Sequence, residues 1–159
     1  MRLSSLNIFA LDYNPEIAAR YHNNRHVVKM VTETAQILCT VLNQNGVEAY
    51  YNSTHINHPC TKWAGLNRTN FLWLLDLGLE LSKEYTHRYG KQHKAGLVIQ
   101  DCVEYASVIP NVEPLSPFAL AMPESCRLND PVLSYRNYYV QEKRHLAQWK
   151  NRPVPHWWN

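Results

Sequence analysis

Asn67-Arg68-Thr69-Asn70-Phe71-Leu72-Trp73-Leu74-Leu75-Asp76-Leu77-Gly78-Leu79-Glu80-Leu81-Ser82-Lys83-Glu84-Tyr85-Thr86-His87-Arg88-Tyr89-Gly90 carries leucine at 72, 74, 75, 77, 79 and 81. Wound into a helix, these leucines cover most of the circumference, which marks a helix buried on several sides rather than one laid on a surface. Thr69 is placed to cap its start and Gly90 to stop it. The run 70 to 89 is therefore predicted as the central helix, and the rest of the chain must supply the elements that cover it.

Downstream, a weaker helical pattern runs over roughly 92 to 107. Pro110, Pro114, Pro117 and Pro123 then make 108 to 129 irregular, because proline removes a donor and fixes φ. A structureless stretch of that length in a small domain is expected to be a binding loop or lid. Asp130-Pro131 pairs a capping side chain with a proline at the first helical position, and opens a helix predicted to run to about Trp149. Upstream, Asn57-His58-Pro59 has the same form. Asn14-Pro15-Glu16 starts one long helix over 15 to 43, with Val27, Val31, Ala35, Leu38 and Leu42 at helical spacing, a bend at Asn23-Asn24 and a stop at Asn45-Gly46. The apolar opening before it is a short strand or an extended arm. The expected fold is mainly α: a compact single-domain helical bundle over residues 1–159 with a long irregular Pro-rich loop.

With 159 residues, 45% of them hydrophobic and 18% charged, the chain can bury a core without staples. Cys39, Cys60, Cys102 and Cys126 form no C-x-x-C pair and read as isolated thiols. The opening lacks the features of a signal peptide and no apolar run approaches a membrane span, so no membrane is expected and the cytoplasm, that of the host cell if the chain is phage-encoded, is the expected compartment. A net charge of +3 leaves the identity of partners to the placement of the basic residues.

Two features carry chemistry. On the first helix, His22, His26, Lys29, Glu33, Gln36 and Thr40 recur at spacings of four and three, within an arc of roughly 80° opposite the apolar residues. Every amphipathic helix has a solvated face, and this stripe fits one. It also assembles bases (His22, His26), an amine (Lys29) and, one turn on from the amine, a carboxylate (Glu33) able to take its proton; burial of Lys29 would make the amine a nucleophile. A rival use is metal binding by His22 and His26 at i and i+4, which needs a third ligand from His55, His58 or His87. The favoured reading involves no metal and no cofactor.

The second feature is the tail, where Arg136, Lys143, Arg144, Lys150 and Arg152 alternate with Tyr135, Tyr138, Tyr139, Trp149, Trp157 and Trp158. Cations neutralise phosphates and aromatic rings stack on bases, so Arg136, Tyr138, Tyr139, Lys143, Arg144, Lys150 and Trp157 are candidate nucleic-acid contacts, with DNA the expected partner. The same aromatics can instead pack on the core. His58 either caps the helix after Pro59 or stands beside a phosphate held at its N-terminus.

The His-x-x-x-His face of the early helix, Asn57-His58-Pro59, and the tail with Tyr135-Arg136-Asn137-Tyr138-Tyr139, Arg152-Pro153 and Trp157-Trp158 together resemble the small helical pyrimidine-dimer DNA glycosylases of bacteriophages. The resemblance implies an attack on the sugar C1′ by an amine, with a helix Glu handling protons. The chain departs from it at Met1-Arg2, where a small N-terminal nucleophile is expected, and at Asn23-Asn24-Arg25, where a Glu is expected. Lys29 beside Glu33 is the pair that could replace them. The function expected is a nucleic-acid-acting enzyme, most concretely a base glycosylase/lyase. The alternatives are a metal-dependent enzyme on a small substrate and a non-catalytic nucleic-acid-binding or host-inhibiting phage protein.

Overall fold

A computed structural model describes residues 6–159. The central helix is present as α4 (Arg68–Tyr89), against which α1 (Pro15–Tyr21), α2 (Asn24–Gln44), α3 (Pro59–Leu66) and α5 (Lys94–Cys102) all pack. Phe71, Leu74, Leu77 and Leu81 are buried completely or nearly so, while Leu72, Asp76 and Lys83 form its narrow solvent strip. The cap is Asn67, not Thr69: its Oδ1 accepts the Asn70 N–H at 2.8 Å. Thr69 instead donates its hydroxyl to Glu113 O in the Pro-rich loop. Gly90 ends the helix in the left-handed region at φ +70°, as its lack of Cβ allows.

Gly78 sits where α2, α4 and α5 meet. A Cβ there would lie 2.8 Å from Thr34 Cγ2 and 2.9 Å from Ile99 Cδ1. Gly78→Ala should therefore lower stability by about 1–3 kcal/mol in urea denaturation, the overpacking outweighing alanine's better helix propensity. A stabilised variant would show that the three helices can separate at no cost.

The predicted helix 15 to 43 is two helices. Its expected bend is a full break at His22–Asn23, where both residues are extended and Asn23 Oδ1 caps α2 by accepting the His26 N–H at 2.9 Å. The groups freed by the break are satisfied by the tail: Trp149 Nε1 donates to Tyr21 O, and Asn24 N–H donates to Gln148 O, both at 2.8 Å. That demand explains why the last long helix, α6 (Pro131–Glu142), stops well short of Trp149. After Glu142 the chain makes one 3₁₀ turn, Arg144–Leu146, and is then drawn across the break. The weaker helix is α5 followed by a 3₁₀ segment, Val103–Val108.

The Pro-rich stretch is fastened rather than loose. Phe118 is buried against Trp63 and Trp73, and Ser116 N–H donates to Asn70 Oδ1 at 3.0 Å. Of the opening, residues 1–5 lie outside the described residues; residues 6–11 form a buried arm, and no strand occurs among the described residues. The six helices pack together in one compact, mainly α domain. All four cysteines are free and buried, and no helix of the described residues is long and apolar enough to cross a membrane.

Candidate functional site

The arm changes the meaning of the polar stripe. Residues 6–11 lie over its first turns, so His22, His26 and Glu33 are buried instead of solvated, Thr40 is covered by Thr54, and only Lys29 of the chemically active groups stays half exposed. The burial posited for Lys29 falls on its partner.

Beside the arm a cleft of about 580 Å³ opens, lined by Asn7 and Phe9 of the arm, His26 and Lys29 of α2, His58 and Pro59 at the start of α3, Leu120 to Pro123 of the loop, Arg127, Tyr138 of α6 and Lys143. This volume lies in the range of small-molecule sites. The lining includes three cations, Lys29, Arg127 and Lys143, and no carboxylate. Arg127 is held by the loop carbonyls of Leu120 and Met122. Lys143 Nζ lies 4.9 Å from the centre of the Tyr138 ring. Phe9 stacks on His26 with centroids 4.3 Å apart and lies nearly parallel to Tyr138 at 6.1 Å.

Directly behind Lys29 is Glu33. Its nearer oxygen is 3.8 Å from Lys29 Nζ, beyond hydrogen-bond reach, and both carboxylate oxygens are buried without a hydrogen-bond partner among the described residues. Burial pushes this carboxyl up to about 7, with the Lys29 charge and the Asn7 backbone offsetting part of the effect. It therefore exchanges its proton near neutral pH, next to an amine that lines the cleft. His26 is the reverse case: burial, with the charges of His22, Lys143, Lys29 and Arg25 added, pushes it down to about 2, so it stays neutral.

The other candidates divide between cleft, core and rim. His22 lies behind Phe9, fully buried, its Nδ1 donating to Ala18 O at 2.7 Å. That hydrogen bond leaves His22 only Nε2, which faces the core. Among the described residues no three His, Cys, Asp or Glu side chains gather in a way that could hold a metal ion. Tyr139 is buried beneath His26 and cannot touch a nucleic acid. Arg136 is tied to Asp12 at 2.8 Å and to Leu11 O, with Tyr21 and Trp157 under its guanidinium. Trp157 packs on Tyr21 and Tyr139. Arg144 lies over Trp158 and Lys150 over Tyr89, both exposed and away from the cleft lining. Asn7, Phe9 and Arg127 were not among the candidates. Arg127 follows the four prolines, which was the available signal for it, whereas an arm residue such as Phe9 has no local pattern that points to a site.

Compared with known protein families, curated proteins and solved structures, the chain matches none.

Proposed function

We propose that this chain is an enzyme acting on nucleic acid, taking one nucleotide unit of DNA into the cleft and attacking its sugar with the Lys29 amine. The reading is carried by one observation: Lys29 Nζ borders a cleft rich in cations and aromatic rings while standing 3.8 Å from a buried carboxylate that titrates near pH 7. A flat base finds Phe9 and Tyr138, and the phosphates flanking it find Arg127 and Lys143. A base drawn from a duplex must be extruded to reach such a hollow, at a cost of a few kcal/mol.

The most concrete chemistry is that of a base glycosylase/lyase. The Lys29 lone pair forms a bond to C1′ as the bond from C1′ to the base breaks, and the base leaves with that electron pair and takes up a proton. Glu33 accepts the proton that the amine sheds. The nitrogen lone pair then expels O4′, which takes up a proton as the C1′–O4′ bond breaks and the sugar ring opens to an imine. Water adds to that imine to release the sugar as its aldehyde and return the amine. Glu33 acts through Lys29, so it is a positioning and proton-holding residue rather than one that touches the substrate.

Borohydride reduction in the presence of DNA bearing an abasic site should trap a covalent protein–DNA adduct in the parent chain. Lys29→Ala should lose the adduct completely while its DNA affinity falls by about tenfold or less, the worth of one partly exposed cation. An adduct that survives Lys29→Ala would remove the amine from the mechanism, and failure of the parent to bind DNA at all would remove the nucleic acid.

A further inference from the structure

His26 lies in α2 and His58 caps the start of α3, and the two line the same cleft. Each has its Nδ1 committed inside the protein. Tyr139 Oη lies 2.6 Å from His26 Nδ1 and also accepts the Asn23 N–H at 3.4 Å. The Tyr139 hydroxyl proton has no other acceptor among the described residues, so it is donated to His26 Nδ1, which must be the bare nitrogen. At His58, Nδ1 accepts the backbone N–H of Cys60 at 3.0 Å, the capping contact that starts α3. An N–H donor leaves no alternative: His58 Nδ1 is also bare. A neutral imidazole with a bare Nδ1 carries its proton on Nε2. Neither Nε2 has a hydrogen-bond partner among the described residues, and neither is a buried unpaired atom of the core.

We infer that His26 and His58 are a pair of neutral, tautomer-locked N–H donors, and that with Lys29, Arg127 and Lys143 they make the cleft a receptor for a phosphate-type oxyanion. The charged groups that border the cleft are all donors, and no carboxylate lines it. A ligand group gripped by these donors must supply acceptors, and phosphate oxygens do so on every side. Neutral donors serve this purpose without the repulsion that two imidazolium ions would add beside three cations. The assignment removes both histidines from the role of general base, since the nitrogen that could accept a proton is already occupied in each. It rests on the cleft being the ligand site, and it names the part of the ligand that the site grips.

Imidazole ¹⁵N spectra of the ligand-free protein at pH 7 read the tautomers directly. Both rings should show a protonated Nε2 and an unprotonated Nδ1. Tyr139→Phe should lose that pattern at His26 and keep it at His58, which provides the internal control. Adding inorganic phosphate should shift both Nε2–H signals, and adding a short oligothymidylate should shift the same two. A proton on Nδ1 of either ring in the parent protein, or tautomers as stated with no response to phosphate, would overturn the inference. A response to phosphate without any response to the oligothymidylate would sustain it and overturn instead the nucleic-acid reading of the cleft.

Discussion

Glu33→Gln is expected to make the protein more stable and less active at the same time. Glutamine has nearly the shape of the protonated acid, so the variant keeps the packing under the arm and loses only the option of a charge. In the parent, the folded state holds the Glu33 proton up to about pH 7, whereas the unfolded chain releases it near 4.5. The folded state thus binds more protons between those values. Stability consequently falls as pH rises from 4.5 to 7 and levels off above, by about 3 kcal/mol in all for this nearly buried group. Urea denaturation at pH 8 should place Glu33→Gln above the parent by an amount of that order, and the two should converge at pH 4. If Lys29 acts as proposed, turnover should fall by about 100-fold or more, since its proton acceptor is gone. Unchanged turnover together with the stability gain would leave Glu33 as an unexplained strain in the core, and the amine mechanism would lose its proton acceptor.

How much of this was legible in the sequence follows from what each signal reports. The starts at Asn14-Pro15, His58-Pro59 and Asp130-Pro131 and the stop at Gly90 are local chemistry, and each stands within a residue of its predicted place. The central helix was legible because its leucines leave only a narrow strip for solvent. Two other results depend on residues remote in the chain. The stripe on α2 counts as polar in any periodicity, and nothing local shows that residues 6–11 will cover it. The end of α6 at Glu142 is set by the unpaired groups at the α1–α2 break, more than a hundred positions away.

The candidate site divides along the same line. Residue type and spacing singled out His26, Lys29, His58, Tyr138 and Lys143, and the fold brings these five to one cleft. Residue type alone could not separate them from Arg136, Tyr139 and Trp157, which are equally basic or aromatic. In the fold those three became internal supports, because Asp12, His26 and Tyr21 were available as partners.

Glu84→Ala is expected to cause the largest loss of stability of any single substitution considered, about 3–5 kcal/mol, because it strands a buried cation. The Arg88 side chain is completely buried, and its Nε donates to Glu84 Oε2 at 2.8 Å. Its other nitrogens reach Asn24 Oδ1 at 3.1 Å and Arg20 O at 3.0 Å, so one guanidinium joins the end of α1 to the start of α2. Arg152 of the tail pairs with the same carboxylate at 3.0 Å. Burial alone would raise the Glu84 carboxyl, but the hydrogen bonds and charges of Arg152 and Arg88 prevail and hold it below its ordinary value. Its contribution is therefore complete above about pH 4.5 and is lost as pH falls through its lowered folded-state value, opposite in slope to that of Glu33. The loss should not be confined to stability. The break that Arg88 spans sets the start of α2, from which His26 and Lys29 project to the cleft, and Asn24 also accepts the Lys150 N–H that anchors the tail. Glu84→Ala should accordingly shift the denaturation midpoint and disturb the His26 imidazole signals while leaving those of His58 in place. Replacing the pair together, as Glu84→Leu with Arg88→Met, removes both buried charges and should recover most of the stability, since well-packed apolar side chains often match a buried ion pair. Asn24 Oδ1 and Arg20 O would still lack the Arg88 guanidinium that joins them, so the His26 signals should stay displaced in the double variant. A double variant as unstable as Glu84→Ala would show that the hydrogen bonds of Arg88 across the break, and not its charge balance, hold the two helices in place.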